Sequence, residues 1–594
     1  MYLRALEDKV TIKAVRNALR QFAKQRQGSS SEGSKVQILS RAYDYAMDRI
    51  SGQSAGFREL AMRVLAWITC AKRPLRVAEL QHALAVEIGE PEFDDENLPE
   101  AEIMISVCAG LVTIDDESSI IRLVHYTAQE YLERKQNIWF PDAEAEITLV
   151  CVAYLSFTTF ESGFCHTHTE SEARLQANPF YSYAACYWGH HAQKAPSTWR
   201  RISDFAMCKN LVEAASQILA HTETVKRSLA VLGHKYTWYG TPGQLQTTGL
   251  HLAAYFGLDR VVRILLEKGC DPEAEDTYRR TPLIWAAGYG WEAVVELLLA
   301  TKRVDANHVD WNGQTALSLA ARQGNERVIK LLLSDKSVHP DIEDNARLRP
   351  IWYAMAFGND AATAALLETG QVDTGSAGFK KWFSLWTPLC WAVKWDRQNL
   401  VDLLLASGAD PDQSDGWGWT PLMRAAAGGQ ETIATQLIAT NKVQLEAKDI
   451  RGRTPLTHAV AGGHTGCVKL LLSTSRVDVN SKDNLGRTPL SWAARGGYTE
   501  IVGLLLACEG VQPDAGDNEG NSPLLFAAEK GHDSITKLLL LTRAVDPNKR
   551  NCWGETALRK AMDMGHTAAA DLLKPHTITP LAEWTEETFS FVPG

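Results

Sequence analysis

Thr281-Pro282-Leu283-Ile284-Trp285-Ala286-Ala287 and, 34 residues further on, Thr315-Ala316-Leu317-Ser318-Leu319-Ala320-Ala321 are two copies of one pattern. Later copies begin at Thr387, Thr420, Thr454, Thr488, Ser522 and Thr556, and weaker ones at Thr248 and Arg349. The starts lie 33 or 34 residues apart, except for the 38 between Arg349 and Thr387, which makes ten units. A fixed period of this length marks a stacked array. One unit cannot bury its own apolar face, so neighbours must build a continuous core between them.

The grammar within a unit is physical. Thr supplies a helix cap, and Pro after it is pre-set for the first helical turn, where it has no N–H to waste. Nine residues after the start comes Gly, as at Gly257, Gly290, Gly429 and Gly497, which suits the left-handed end of a short helix. A second apolar helix follows, as in Val294-Val295-Glu296-Leu297-Leu298-Leu299, and a turn such as Asp483-Asn484-Leu485-Gly486-Arg487 leads onward. These motifs resemble the ankyrin repeat. Tetratricopeptide arrays share the period but lack the Thr-Pro-Leu start and the Asp-x-x-Gly turn. The unit at Thr387 departs: Asp396 replaces the Gly, and Gly375 to Trp386 is expected to carry an enlarged finger. That unit is expected to be the weakest junction of the array.

Outside the repeats, composition sets limits. At roughly 150 residues per domain, 594 residues suggest about four domains. The chain is 45% hydrophobic and 22% charged, which excludes collagen-like, mucin-like and wholly disordered classes. Its 11 cysteines are sparse and odd in number, which argues against a disulfide scaffold and for a reducing, cytoplasmic setting. Charges at Arg4, Glu7, Asp8, Lys9, Lys13 and Arg16 exclude a secretory signal at the start. Ile147 to Phe157 is apolar but about half the ~20 residues a bilayer needs, so a buried helix is expected. A net charge of −10 gives no general attraction to nucleic acid or an anionic membrane.

The first half reads differently. Gly28 to Ser34 has the composition of a short flexible segment. Leu60, Val64, Trp67 and Ile68 then fall at helical spacing, Leu80 and Leu84 mark a second helix, and Ile103 and Val107 a third. Leu111 to Ile114 and Ile120 to Val124 read as a hairpin closed by Asp115 to Ser119, and a helix follows over Thr127 to Arg134. Three helices and a hairpin make a winged helix. Trp67 to Leu75, Glu79 to Val86, Val107 to Val112 and Arg122 to Thr127 resemble the winged-helix region of fungal NACHT–ankyrin proteins, receptors of the NLR-like, STAND class. Leu155-Ser156-Phe157 and Asn178-Pro179-Phe180-Tyr181 extend the resemblance. The fold class expected is mainly α: a winged helix plus helical region, then an ankyrin-repeat α-solenoid. The division expected is a helical remnant over 1–55, a winged helix over 56–135, a helical connector over 136–240, ten ankyrin repeats over 241–575 and a tail over 576–594. One departure is large. Members of that family carry a nucleotide-binding domain whose phosphate loop needs Gly-x-x-x-x-Gly-Lys-Ser/Thr, and this sequence contains no Gly-Lys pair. The expectation is therefore a truncated or naturally short member.

Candidate chemistry is thin. The resemblance places His125 where the family contacts a nucleotide phosphate, but Tyr126 replaces the usual Asp, and His125 is read as structural. A winged helix invites DNA binding, yet Glu90 to Gly110 holds seven acids and no Lys or Arg, which would repel a duplex. The same winged-helix family bears a GPI inositol-deacylase label. A serine hydrolase needs a Gly-x-Ser-x-Gly elbow, none is expected here, and the repeats lack the alternating strands of that fold. Cys165 and His168, with Cys186 and His190, have spacings a zinc ion could use, but side chains of these types are also common in helical cores. No enzyme activity, cofactor or metal is expected.

What remains is recognition of a protein partner. The resemblance implies a scaffold or ligand-sensing fragment of an NLR-like receptor. The alternatives are a decoy or adaptor of a complete NACHT receptor or, least favoured, a nucleic-acid binder. Without a nucleotide domain, a monomer is expected. Ankyrin arrays dock partners on fingers and first-helix ends. Those positions hold Phe256, Tyr289, Phe357 and Trp395, eight after each start, with Tyr278, Trp311, Trp386, Trp417 and Trp419 in the fingers. Large aromatics bury much area at small entropic cost, so these nine are the expected contact residues. Trp285, Trp391 and Trp492 sit four after a start and are read as core. Repeats one to six are expected to carry the patch and repeats seven to ten to extend and cap the rod.

Overall fold

The computed structural model describes residues 32–160, 168–195, 199–206, 212, 247–375 and 386–576. Residues 1–31, the tail from 577, Cys165 and residues 376–385 of the finger expected before Thr387 lie outside that set. Two compact bodies are present, Met1–Ala320 with Ser334–Val338, and Ala321–Leu333 with His339–Gly594.

The first body opens with helix α1 (Glu32–Ser51), so the segment read as flexible is already helical from Glu32. Helix α2 (Ala55–Cys70) buries Ala61, Val64, Leu65 and Trp67 along one stripe. After α3 (Val77–Ala85) and α4 (Ala101–Val107), strands β2 (Val112–Ile114) and β3 (Ile120–Leu123) pair antiparallel, Val112 opposite Leu123. Asp115 fixes the hairpin tip by accepting from the backbone and hydroxyl of Ser118 and pairing with Arg122. A third strand, β1 (Leu75–Arg76), joins the far side of β3, giving the order β1-β3-β2. At two residues it is too short to show a strand period in the sequence.

Helix α5 (Tyr126–Arg134) is capped by His125, whose Nδ1 accepts from the backbone N–H of Thr127 at 3.2 Å. His125 is otherwise exposed. Beyond it, α6 (Ala143–Leu155) is buried on nearly every side, including Ile147, Leu149, Val150 and Val152. No helix among the described residues is long and apolar enough to cross a membrane. Helix α7 (Tyr181–Ala192) packs against α6. Between them Glu144 accepts from His191 Nδ1 at 2.5 Å and from Lys72 Nζ at 3.2 Å, and His191 Nε2 meets the Tyr183 hydroxyl at 2.9 Å. A buried carboxylate is tolerable only when paired in this way.

Ten helix pairs follow, and the ten inner helices begin one residue after Thr248, Thr281, Thr315, Arg349, Thr387, Thr420, Thr454, Thr488, Ser522 and Thr556. In repeat seven, Thr454 Oγ1 accepts from the backbone N–H of Thr457 at 3.3 Å, and its side chain is buried. Outer helices bury the residues 13, 14 and 17 after each start, as in Val294, Val295 and Leu298, one helical stripe. In repeat seven the glycine nine after the start is required twice over. Gly463 has φ +74°, and a Cβ there would stand 2.5 Å from the Tyr498 ring of the next repeat. In several repeats the side chain ten after the start reaches back to the open end of the preceding inner helix: His464 to Ala427 O at 2.9 Å, His566 to Glu529 O at 3.0 Å. These side chains satisfy carbonyls that a helix end leaves orphaned. At Asp396 φ is +52°, so the non-glycine residue adopts the strained conformation, while Gln430 still bonds Val393 O at 2.7 Å.

Repeat one has an additional histidine, completely buried. His251 Nδ1 accepts from Thr248 N at 3.1 Å, and Nε2 meets Arg280 O at 2.9 Å. Burial pushes its pKa down to about 4, against the opposing pull of Asp276. The unfolded chain takes up this proton near pH 6.5, so stability is complete above that pH and falls as pH drops toward 4. Between pH 7 and pH 5 the loss from this group is about 2 kcal/mol. Urea unfolding at the two pH values should show it in the first body, and His251→Gln should reduce the pH-dependent difference by that amount.

Candidate protein-interaction surface

The fingers are organised by buried carboxylates. Asp276, Asp310, Asp344, Asp415, Asp449, Asp483 and Asp517 are buried, and Asn551 takes the same place before repeat ten. In each, Oδ1 accepts the backbone N–H groups two and four residues on, at 2.8 to 3.1 Å. The second oxygen needs a donor, which at Asp276, Asp344, Asp415, Asp449, Asp483 and Asp517 comes from the residue four or nine further on. Asp276 Oδ2 takes Arg280 Nε at 2.7 Å and Trp285 Nε1 at 3.0 Å. Asp449 takes Arg453 Nη2 at 2.9 Å and His458 Nε2 at 3.0 Å. Asp483 takes Trp492 Nε1 at 3.0 Å.

At Asp415 the two positions are exchanged. Trp419 stands four residues on, where the fingers of Asp276, Asp449 and Asp483 carry Arg, and Arg424 stands nine on and supplies the ion pair. The carboxylate is satisfied either way, so its donor requirement does not decide which side chain faces out. The exchange places the Arg424 guanidinium over Trp386 at 4.2 Å and Trp419 at 4.4 Å. Trp386 meets Trp417 edge to face at 6.1 Å, and Trp419 packs on His458 at 4.0 Å. The three tryptophans and Arg424 line a recess of about 330 Å³. Ile450, Arg451 and Arg453 of the next finger complete its lining, and Ile450 is 65% exposed.

The nine expected contact residues separate. Phe256 is a correction: it is fully buried, not part of a surface. Its ring lies 5.0 Å from Trp188 and 5.3 Å from His190, over Gly189, where a Cβ would stand 2.0 Å from it. In the same body Tyr289 packs on Tyr255 at 4.5 Å, and Tyr278 meets Trp311 edge to face at 6.4 Å, leaving Trp311 61% exposed. In the second body Phe357 is exposed beneath Arg322, and Trp395 is 54% exposed beside a half-buried Trp391. Trp386 is buried as a recess wall, Trp419 is half-buried, and Trp417 is 37% exposed. Trp285 is buried, and Trp492 is half-buried on its Asp483 bond. Because Ile450, Arg451 and Arg453 belong to the finger before Thr454, the recess extends into repeat seven, beyond the expected limit at repeat six. Arg424 and the repeat-seven residues were absent from the sequence-based set. The signal for them was the exchange of Arg and Trp between the two donor positions.

Other candidate sites gain no support. Among the described residues no three or more of His, Cys, Asp and Glu converge as a metal site, and Cys165 with the His168 side chain lies outside them. The ring of His190 is instead turned edge-on to Phe256. The expected absence of a Gly-x-Ser-x-Gly pentapeptide is incorrect: Gly52-Gln53-Ser54-Ala55-Gly56 has that form. It joins helix α1 to α2, with Ser54 as the exposed N-cap residue of α2, whereas a nucleophile elbow requires a strand on its entry side.

Comparison with known proteins agrees with this architecture. The family described as ankyrin repeats (3 copies) matches residues 250–346, 407–483, 473–551 and 490–583, and that described as ankyrin repeat matches 384–416. The family described as GPI inositol-deacylase, winged helix domain, matches residues 47–151. The ankyrin repeat protein nuc-2 of Neurospora crassa is 29% identical over 192 residues, which cover 32% of this chain and 17% of that protein. The chain carries a winged-helix domain and ankyrin repeats in tandem. These folds are characteristically non-catalytic scaffolds, and an ankyrin array is an architecture for protein–protein interaction.

Proposed function

We propose that this chain recognises a protein partner through the fingers and inner-helix ends of its ankyrin repeats, with no chemical step. The observation that carries this is that large aromatics are left exposed at those positions, Trp311 and Tyr289 in the first body and Trp395, Phe357 and Trp417 in the second. Exposed large aromatics are the side chains that anchor protein interfaces, because they bury much area at small entropic cost. The role proposed is that of a scaffold or ligand-sensing fragment of an NLR-like receptor. It would act in the cytoplasm as a monomer, with winged helix, connector and repeats as its successive parts. That placement rests on the resemblance of the winged-helix segment and is an analogy of architecture. Pairing as an adaptor with a complete NACHT receptor is the alternative the same resemblance allows.

The test uses the full chain carrying Trp395→Ala and Trp417→Ala, with Lys537→Ala on an outer helix as control. Thermal unfolding and capture of partners from a native lysate are measured together. The double variant should melt within a few degrees of the parent and lose partners that the control retains. Equal capture by parent and variant overturns the reading, and a large fall in melting temperature makes these rings core instead.

A further inference from the structure

We propose that the recess between the fingers at Trp417 and Ile450 receives an acidic peptide segment of the partner, anchored by one large apolar side chain. This rests on the reading above and names the chemistry of what is bound. The walls are Trp386, Trp417 and Trp419, a surface suited to an aromatic or long aliphatic group. At about 330 Å³ the space is at the low end for ligand pockets and suits one side chain rather than an extended molecule. Among the described residues no acidic side chain lines it.

The charges decide the occupant. Arg424 is neutralised by buried Asp415, and Arg453 by buried Asp449. Arg451 is exposed, and its guanidinium makes no ion pair among the described residues. Among the described residues the rim therefore presents one uncompensated positive charge beside an apolar hollow. A cationic peptide would meet that charge as repulsion. A carboxylate next to the anchor residue would meet it as a charge-assisted, potentially bidentate hydrogen bond. A single-stranded nucleic acid could stack on the same rings, but its regularly spaced phosphates call for several free cations along a groove, and here two of the three arginines are already paired.

The probes are fluorescein-labelled Gly-Glu-Glu-Trp-Glu-Glu-Gly, its counterpart with Lys for Glu, its counterpart with Ala for Trp, and an oligothymidine of eight nucleotides. Anisotropy is measured with the full chain and with Arg451→Glu. The acidic Trp peptide should bind at least ten-fold more tightly than the other three. Arg451→Glu should weaken it at least ten-fold with no change in melting temperature, and raised salt should weaken the parent in the same direction. Equal binding of the Lys or Ala counterpart, tighter binding of the oligonucleotide, or indifference to Arg451→Glu overturns the proposal. Lysate partners lost on Trp395→Ala and Trp417→Ala but retained on Arg451→Glu would leave the scaffold reading standing and remove only the acidic peptide.

Discussion

Asp449→Ala should cost about 3–5 kcal/mol, because it removes a buried acceptor and strands its donors. Asp449 Oδ1 takes the backbone N–H of Arg451 at 2.8 Å and of Arg453 at 2.9 Å, while Oδ2 takes the Arg453 guanidinium and His458. Without them the finger loses the bonds that close its turn, and the Arg453 guanidinium loses its counter-ion. Burial opposes ionisation of this carboxyl, yet the N–H groups of Arg453 and Arg451 and the nearby positive charge outweigh it and hold the pKa below the usual value. The folded pKa is depressed, so the contribution is present above the unfolded value near 4 and is lost as pH falls through the folded one. Asp449→Asn keeps an acceptor for the two backbone groups and should lose markedly less. Chemical unfolding of parent, Ala and Asn variants at pH 7 checks the ranking. A loss below 1 kcal/mol for Ala would show that the turn is held without the carboxylate.

Phe256→Ala should be of similar size, about 3–5 kcal/mol, by loss of a fully buried aromatic and the cavity it leaves. The ring sits over Gly189 and beside Trp188, which joins helix α7 to the first repeat. The effect should therefore reach both elements: amide exchange should accelerate in Tyr181–Ala192 and Gly249–Phe256 together. Gly189→Ala approaches the same contact from the other side, because its Cβ would stand 2.0 Å from the ring. Trp395→Ala is the internal comparison. It also lies eight after its start, but it is 54% exposed, and truncation there should change stability by less than about 1 kcal/mol. Equal losses at the two positions would contradict the assignment of one to core and the other to surface.

The contrast between Phe256 and Trp395 shows where the sequence stops being informative. Cap chemistry is local: a Thr hydroxyl bonds an N–H three residues away, Pro fixes its own φ, and a left-handed glycine ends the turn nine residues on. Each is decided within one unit, so the helix starts, the finger turns and the winged hairpin could be read residue by residue. The hairpin tip at Asp115, closed by bonds to Ser118, is of the same kind. The third strand at Leu75–Arg76 is not, because its partner Ile121 lies far along the chain.

Exposure is decided by what lies against a residue. Phe256 and Trp395 hold the same place in their repeats. One is covered because Gly189 leaves room for a ring to enter, and the other faces outward. The recess arises in the same way. Buried Asp415 accepts a donor from either of two positions, so the pattern of Asp, Arg and Trp in one finger is compatible with either side chain outermost. The sequence by itself determined the repeats and their turns, because short-range hydrogen bonds and backbone conformation specify them. Only the tertiary structure decided which aromatics form core and which form a surface, because that depends on long-range packing between elements that no local pattern encodes.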